Sequence, residues 1–284
     1  MEPSAAEIAG YLAKYLTDLR FQVAMGADEA LYAQPLALAP ALLPTGITAP
    51  SRPAIGALPP GTPATNSPIY ISARQQEAAP LAPAAPLHPP RDLTTITSLD
   101  DLKTAMSELQ GLSIKETAMN FVFGEGASQP PVMLIGEAPG EEEDRSGRPF
   151  VGPAGQLLEK MLASIGLTRA QVYITNVLPW RPPGNRTPKA DEVATCLPYL
   201  MRHIELVQPK IILLLGGPAA KALLSKEESV TRLRGTWWDY HSPGLGETRP
   251  ALVSYHPAYL LRTPAQKRES WRDLRLLKKK IDSH

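Results

Sequence analysis

The chain has 284 residues, 31 of them proline, and a formal net charge of +1 at pH 7. Its single cysteine, Cys196, excludes an intramolecular disulfide and a metal site built only from the cysteines of one chain. No apolar run approaches the roughly 20 residues that cross a bilayer. The N-terminal residues lack the basic and apolar regions of a signal peptide, which predicts a cytoplasmic protein without membrane contact.

The N-terminal third is predicted to form a helical segment (residues 1–33) and a disordered linker (residues 34–95). Apolar side chains recur at helical spacing within residues 5–24, which predicts a short amphipathic helix. Residues 34–91 hold 14 prolines, so they can form neither a helix nor a central strand. Binding of a protein partner by the N-terminal segment is one hypothesis for its role. The globular domain is expected to span residues 96–284.

The globular domain is predicted to alternate strands and helices. Its first helix is expected at residues 99–110, with Ser98 as the N-cap. Short apolar runs predict strands at residues 131–136, 172–177, 210–217 and 251–257. Helices are predicted at residues 153–165, 189–207, 217–225 and 264–281. This order predicts an α/β three-layer sandwich, in which helices flank a central, four-stranded and mainly parallel sheet.

Charge is distributed unevenly along the chain. Residues 1–130 hold 7 Lys and Arg against 12 Asp and Glu, a net charge of −5. Residues 131–284 hold 22 against 16, a net charge of +6. A basic globular part is compatible with a polyanionic ligand.

Ligands of parallel α/β sheets bind at the carboxyl ends of the strands. Four loops begin there, at Gly136, Asn176, Gly216 and His256. The first loop, GEAPGEEEDRSGRPFVG, carries five carboxylates, which argues against a phosphate cradle despite its glycines. Glu137 directly follows a buried strand and is predicted to point into the cleft, whereas Glu141 and Glu142 are typical of a solvated acidic turn.

Three further side chains each have a structural and a functional interpretation. Phe150 can staple the helix that follows it, or it can be a platform on which a planar base stacks. Asn176 can be a turn residue, but its amide places a donor and an acceptor on one edge, which suits the edge of a nucleobase. His256 can cap a helix, or Pro257 can fix a rigid turn that aims the imidazole into the cleft.

The second loop, NVLPWRPPGNRTP (residues 176–188), is stiff and cationic. Its arginines, Arg181 and Arg186, lie between prolines, so they lose little conformational freedom when they bind a phosphate. A proline-rich surface turn is the alternative interpretation.

Together, four segments resemble the uracil-DNA glycosylase superfamily, most closely the family-4 enzymes, the thermostable bacterial and archaeal type. The segments are GEAPGEEEDRSGRPFVGPAGQLL (136–158), YITNVLPWRPPGNRTP (173–188), PKIILLLGGPAAKALL (209–224) and HPAYLLRTPAQKRESWRDL (256–274). They occur in this order, and the resemblance covers roughly residues 99–281. We regard four motifs in series as specific, although no single one would be.

The resemblance implies that uracil is flipped out of single- or double-stranded DNA and that its N-glycosidic bond is hydrolysed. Phe150 would stack on the flipped ring, and Asn176 would bind its O4 and N3–H edge. His256 would donate a hydrogen bond to O2, where negative charge develops as the bond breaks. The backbone from Gly136 to Ala138 would complete the uracil pocket.

The same resemblance implies a water-activating group and contacts with the DNA strand. Glu137 is our choice for polarising water or ordering the pocket, with Glu143 and Asp144 as alternatives. DNA contacts are expected from Arg181, Arg186, Leu260, Leu261 and Arg262. Of these, either leucine would fill the gap left by the flipped base, and the arginines would grip phosphates. We expect the protein to act as a monomer.

The sequence departs from the family pattern at the iron-sulfur site. Family-4 enzymes bind a [4Fe-4S] cluster through four cysteines, and the matching positions here are Leu112, Lys115, Trp180 and Cys196. Because three of the four thiolates are missing, we predict a protein without this or another cofactor. Trp180 is expected to pack near Leu112 and Cys196 as a hydrophobic plug.

Three alternative functions stay open. The protein could bind damaged DNA without cleaving it, although a binding protein would not need Glu137, Phe150, Asn176 and His256 together. It could act on broader substrates such as hypoxanthine, or trap its product covalently. It could also be a nucleotide-binding interaction module served by the proline-rich segment.

Overall fold

A computed structural model of the protein describes residues 92–283. The helix predicted at residues 5–24 and nearly all of the predicted linker lie outside the described residues. The described part opens with a 3-10 turn, Leu93–Thr95, in which the Asp92 carboxylate accepts a hydrogen bond from the Thr94 N–H. Leu93 packs against the core, so ordered packing begins before the predicted domain boundary at residue 96.

The domain is built on a six-stranded sheet. In chain order the strands are β1 (Glu125–Gly126), β2 (Val132–Gly136), β3 (Tyr173–Asn176), β4 (Ile211–Leu215), β5 (Trp237–Tyr240) and β6 (Arg249–Ser254). Their order across the sheet is β1-β3-β2-β4-β6-β5. The four central strands are parallel, while β1 and β5 pair antiparallel at the two edges. The predicted α/β sandwich with a mainly parallel sheet is confirmed, but the predicted number of four strands is wrong.

The two additional strands have weak sequence patterns. Strand β1 has two residues, too few for any periodicity, and it forms because Gly126 lets two backbones approach each other. A Cβ on Gly126 would lie 2.0 Å from the carbonyl oxygen of Val172. Strand β5 is an edge strand with two partly exposed tryptophans, so its burial does not alternate cleanly. Its aromatic composition is the signal that could have indicated a strand.

Nine helices surround the sheet in the described part of the chain. They are α1 (Leu99–Ser107), α2 (Ser113–Thr117), α3 (Glu141–Ser146), α4 (Pro153–Ser164), α5 (Ala190–Val207), α6 (Gly217–Leu224), α7 (Val230–Leu233), α8 (Pro257–Arg262) and α9 (Lys267–Asp282). The five predicted helices correspond to α1, α4, α5, α6 and α9. The predicted N-cap of α1 is confirmed, since the Ser98 hydroxyl accepts a hydrogen bond from the Asp101 N–H. No helix among residues 92–283 has the length and apolar character to span a membrane.

The parallel strands bury both of their faces. Met133 and Ile135 of β2 point into one hydrophobic cluster, which includes residues of α1 and α5. Val132 and Leu134 point into a second cluster on the opposite face, which includes residues of α4 and α9. Because all four central strands run in the same direction, their carboxyl ends share one edge of the sheet.

A buried histidine makes the fold sensitive to acid. The side chain of His203 is 2% exposed, and its Nε2 lies 2.8 Å from the Tyr173 hydroxyl. The ring stacks on Phe123 with 4.2 Å between centroids. Burial lowers the pKa of His203 to about 3. An unfolded histidine titrates near pH 6.5, so the unfolded chain binds more protons between about pH 6.5 and 3. Stability is therefore lost as the pH falls through this window.

We expect His203 to remove about 1.4 kcal/mol of unfolding free energy for each pH unit below its unfolded pKa. The matched variant is His203→Gln, which keeps a polar group beside Tyr173 but does not titrate. Urea unfolding at pH 7 and pH 5 would measure the change in both proteins. The wild type should lose about 2 kcal/mol more than the variant between these pH values. Equal losses would contradict this assignment.

Candidate active site

The loops that follow β2, β3 and β6 enclose a cleft of about 380 Å³ at the carboxyl edge of the sheet. Eight of the predicted site residues line it: Glu137, Ala138, Glu143, Phe150, Asn176, Arg186, His256 and Arg262. Sequence reasoning missed several other lining residues, among them Ala154, Pro182, Asn185 and Thr187. Three of these four lie within the predicted arginine loop, residues 176–188. Their closeness in sequence to Arg181 and Arg186 is the signal that could have indicated them as lining residues.

A second cavity of about 610 Å³ lies near the C-terminal ends of α4 and α9. Its lining includes Trp271, Arg275 and Lys278, and none of the predicted site residues. The end of α4 leads back to the amino edge of the sheet, so this cavity lies away from the four loops where ligands of such folds bind. The candidate site is therefore the smaller cleft.

Gly136 creates the space in which two of the predicted side chains meet. Strands β2 and β3 end in register, with Gly136 opposite Asn176. A Cβ on Gly136 would lie 2.4 Å from Asn176 Oδ1 and 2.6 Å from Phe150 Cζ. Asn176 Oδ1 is one of three buried side-chain atoms among residues 92–283 that lack a hydrogen-bond partner. A buried amide oxygen without a partner is costly, so its position in the cleft marks a place for a ligand donor.

Phe150 has an unusual backbone conformation. Its φ angle is 53°, in the left-handed region, which costs about 1 to 2 kcal/mol for a residue with a Cβ. This conformation brings the ring into the cleft, where its centroid lies 5.4 Å from that of His256. Phe150 is also part of the hydrophobic cluster that includes residues of α4. The ring therefore packs against the helix that follows it and also lines the cleft, which matches both interpretations made from the sequence, the staple and the stacking platform.

His256 is held as a neutral hydrogen-bond donor. It is the N-cap of α8, and its Nδ1 accepts a hydrogen bond from the Ala258 N–H at 3.1 Å. Burial, reinforced by the nearby Arg262 guanidinium, lowers its pKa to about 4. Because a neutral imidazole has one N–H and Nδ1 is the acceptor, the proton lies on Nε2. Nε2–H is then the group that His256 can offer to a ligand.

The candidate carboxylates differ in their hydrogen bonds. Both oxygens of Glu143 are occupied, because Oε1 accepts from the Val151 and Gly152 N–H groups at 2.8 Å and Oε2 accepts from the Gly140 N–H at 3.1 Å. Glu143 thereby organises the loop that carries Phe150. The carboxylate of Glu137 makes no hydrogen bond to another residue of the described part, and burial raises its pKa. It is the cleft carboxylate that is available to a ligand or a water molecule.

Asp144 lies outside the lining of the cleft. Its Oδ1 accepts hydrogen bonds from the Met119 and Asn120 N–H groups at 2.8 and 3.0 Å. Asp144 therefore attaches α3 to the segment before β1. The neighbouring Glu141 and Glu142 are exposed, as predicted, but they lie in a short helix and pair with Arg145.

The three arginines that were predicted to contact DNA have different surroundings. Arg262 is exposed on the rim of the cleft. Arg186 also lines the cleft, but its guanidinium donates to both oxygens of the buried Glu192 at 2.9 and 2.6 Å. Arg181 donates from Nε to Asn185 Oδ1 at 2.8 Å and so stiffens the loop.

The two leucines of α8 have opposite environments. Leu260 is 0% exposed and belongs to the hydrophobic core, whereas Leu261 is 44% exposed. A core leucine cannot enter a DNA strand without unfolding α8, so the prediction of a DNA contact for Leu260 is not supported by its position. The exposed Leu261 is accessible to DNA, so the DNA contact stays a prediction for this leucine.

The positions that match the iron-sulfur ligands form an apolar environment. Leu112, Trp180 and Cys196 are at most 3% exposed and belong to one hydrophobic cluster, as the prediction of a plug requires. Burial, with a contribution from Glu192, raises the pKa of Cys196 to about 12, so its thiol is protonated. The ammonium of Lys115 donates to the carbonyl oxygens of Ser107, the last residue of α1, and of Leu109, at 2.6 and 2.9 Å. These four side chains do not fit an iron-sulfur cluster, which requires thiolate ligands.

Comparison with known families agrees with the geometry of the cleft. The sequence model of the uracil DNA glycosylase superfamily matches residues 123–275, which is more than half of the chain. The chain belongs to the uracil-DNA glycosylase superfamily. The matched range contains the four parallel strands and every cleft residue described above.

Several curated relatives that the chain resembles are type-4 uracil-DNA glycosylases. The protein from Pyrobaculum aerophilum is 45% identical over 159 residues, which cover 55% of this chain and 80% of that protein. The protein from Sulfurisphaera tokodaii is 42% identical over 174 residues, 59% of this chain and 77% of that protein. The protein from Thermotoga maritima is 44% identical over 144 residues, 50% of this chain and 72% of that protein.

Proposed function

We propose that the protein hydrolyses the N-glycosidic bond of uracil in DNA, which releases uracil and leaves an abasic site for base excision repair. The observation that carries the proposal is the cleft in which Phe150, Asn176 and His256 meet around an unpaired buried amide oxygen. The similarity to several type-4 uracil-DNA glycosylases supports it. The nucleotide must be flipped out of the DNA, because the cleft cannot reach a base inside the stack.

Asn176 is proposed to select uracil. Its Oδ1 would accept a hydrogen bond from N3–H, and its amide nitrogen would donate to O4. Cytosine has an amino group in place of O4 and lacks a proton on N3, so both contacts would be mismatched. A buried polar site rejects such a partner strongly, because its own groups are left unpaired. The ring of Phe150 would supply the stacking surface.

His256 is proposed to stabilise the charge that develops on uracil. Bond cleavage leaves positive charge on the deoxyribose and negative charge on the base. The Nε2–H of the neutral imidazole would donate to O2, where this charge accumulates. A preorganised donor of this kind contributes about 3 to 4 kcal/mol to the transition state.

Glu137 is proposed to polarise the attacking water. Its carboxylate has no partner in the described part of the chain, while both oxygens of Glu143 accept from backbone N–H groups and Asp144 lies outside the cleft. This difference favours Glu137 over its two alternatives. The carboxylate would act in its charged form, directing a water lone pair towards C1′ of the deoxyribose.

DNA binding is proposed to use the exposed end of α8. Arg262 would contact a phosphate, and Leu261 would fill the gap left by the flipped base. Arg181 and Arg186 would contribute a stiff loop, with the charge of Arg186 largely balanced by Glu192. We propose that single- and double-stranded DNA are both substrates and that the protein acts as a monomer. Its cytoplasmic location and a protein partner of the N-terminal segment stay predictions.

Release of free uracil from a single-stranded oligonucleotide with one uracil tests the proposal. We expect release by the wild type and a loss of discrimination against cytosine in Asn176→Ala. Tight binding of the oligonucleotide without release would instead support a damage-binding protein. Release of hypoxanthine from a matched oligonucleotide, or a product that stays attached to the protein after denaturation, would support the broader or covalent chemistries.

We also propose that the protein works without an iron-sulfur cluster. The support is the chemistry at the four matching positions, where a buried leucine, a buried tryptophan, a lysine and a protonated buried thiol lie. Protein purified anaerobically is expected to contain far less than one cluster equivalent of iron and to lack the broad absorption of such clusters at about 400 nm. Treatment with an iron chelator should leave uracil release unchanged. Stoichiometric iron together with the absorption band would contradict this proposal.

A further inference from the structure

We infer that Arg169 is a positioning residue, which fixes the backbone of Phe150 and thereby holds the stacking ring in the cleft. This inference rests on the proposed function. Arg169 lies in a 3-10 turn, Arg169–Gln171, just before β3. It does not line the cleft, so it would act through Phe150 and not on the substrate.

The guanidinium of Arg169 holds two successive carbonyl groups. Nη1 donates to the carbonyl oxygen of Phe150 at 2.8 Å, and Nη2 donates to that of Pro149. The side chain is 18% exposed, so these hydrogen bonds are largely shielded from water. A planar guanidinium presents its donors in a fixed fork, which suits two neighbouring carbonyls better than a lysine ammonium would.

The left-handed conformation of Phe150 explains why this fixation matters. A residue with a Cβ keeps a positive φ angle where its surroundings over-determine the backbone. The φ angle of 53° sets where the ring points relative to the chain. If the peptide after Phe150 relaxed to an ordinary conformation, its carbonyl would leave Arg169 and the ring would swing out of the cleft.

Glu143 and Gly155 shape the remainder of the loop that carries Phe150. Glu143 accepts hydrogen bonds from Val151 and Gly152, the two residues after Phe150. Gly155 has no room for a side chain, because a Cβ there would lie 1.9 Å from the carbonyl oxygen of Phe150. Glu143 therefore fixes the N–H groups on one side of the loop, and Arg169 fixes the carbonyl groups of Pro149 and Phe150.

Glu125 orients Arg169 and supplies a matched control. The Nε of Arg169 donates to Glu125 Oε1 at 2.7 Å, and Arg148 donates to both oxygens of Glu125 at 2.9 Å. These hydrogen bonds, that of Arg148 first, lower the pKa of Glu125. Arg148 is 58% exposed and has no hydrogen bond to the carbonyls of Pro149 or Phe150. It pairs with the same carboxylate as Arg169 but does not share the proposed role.

A double-mutant cycle tests the inference. The variants are Arg169→Ala, Phe150→Ala and the double variant, with Arg148→Ala as the control. Uracil release from a single-stranded oligonucleotide is measured under single-turnover conditions, together with the melting temperature of each variant. We expect Arg169→Ala to slow release about tenfold, within the range for loss of one base–aromatic stack. The double variant should be no slower than Phe150→Ala, and Arg148→Ala should match the wild type.

A measurement that does not depend on activity accompanies the cycle. Hydrogen exchange of the amides of residues 150–152 should be faster in Arg169→Ala than in the wild type and unchanged in Arg148→Ala. Unchanged hydrogen exchange in Arg169→Ala would overturn the inference. So would a result in which Arg169→Ala slows uracil release by the same factor in the wild type and in Phe150→Ala. If the wild type releases no uracil but exchange in Arg169→Ala is faster, the proposed function fails while the fixation of the loop stands.

Discussion

Replacement of His256 by alanine is expected to slow uracil release about 10²- to 10³-fold, because a preorganised donor is lost where negative charge develops. The donor is Nε2–H, since Nδ1 already accepts from the Ala258 N–H. The low pKa of His256, about 4, keeps the imidazole neutral at the pH of the assay. Single-turnover release from a uracil oligonucleotide measures the effect, with the bound fraction of DNA determined separately. The substitution should lower the rate of uracil release from the protein–DNA complex and change the affinity for DNA much less.

Two further variants separate catalysis from folding in this experiment. His256 is also the N-cap of α8, so alanine removes a cap as well as the donor, at about 1 kcal/mol of stability. Asparagine is a good N-cap but has no group at the position of Nε2, so His256→Asn should be stable and as slow as the alanine variant. His241 is exposed and outside the cleft, and His241→Ala should keep the wild-type rate. If His256→Asn retained a third or more of the wild-type rate, the donor role would be refuted.

The location of the site could be predicted from the sequence because it depends on strand direction. Apolar runs that end in a glycine or a polar residue predicted buried parallel strands, and parallel strands bring their carboxyl ends to one edge. Glu137, Asn176 and His256 follow or end three such strands, and all three line the cleft. Their meeting follows from topology, without knowledge of any side-chain contact.

The roles of several neighbours could not be predicted because they depend on contacts distant in sequence. Glu143 and Asp144 are adjacent in a run of acidic residues, yet one accepts from the loop of Phe150 and the other from residues 24 and 25 positions earlier. Arg169 lies 19 residues from Phe150 and 44 from Glu125, and no local pattern links them. The assignment of Leu260 to the core and Leu261 to the surface required the orientation of α8, which a six-residue helix does not reveal.

Replacement of Trp180 by alanine is expected to lower the unfolding free energy by about 3 to 5 kcal/mol, the usual range for a buried tryptophan. Trp180 is 3% exposed, and its ring centroid lies 5.1 Å from that of Phe121. The preceding carbonyl, that of Pro179, accepts a hydrogen bond from the Val122 N–H at 2.8 Å. The tryptophan therefore joins the loop of residues 176–188 to the segment before β1. Urea unfolding monitored by far-UV circular dichroism measures the loss.

The partner variant Trp180→Phe distinguishes burial from a specific requirement for indole. It retains most of the apolar surface, so it should lose clearly less stability than Trp180→Ala. A chelator should change neither midpoint, since the cluster of Leu112, Trp180 and Cys196 is held by apolar contacts. A loss of less than about 1 kcal/mol of unfolding free energy in Trp180→Ala would mean that the indole contributes little to the packing of this region. The hydrophobic plug would then not replace the stabilising effect of a cluster. A large loss in iron-free protein would mean that burial of Trp180 fastens this loop, and with it Asn176, at a position where the family-4 pattern described above has a cysteine.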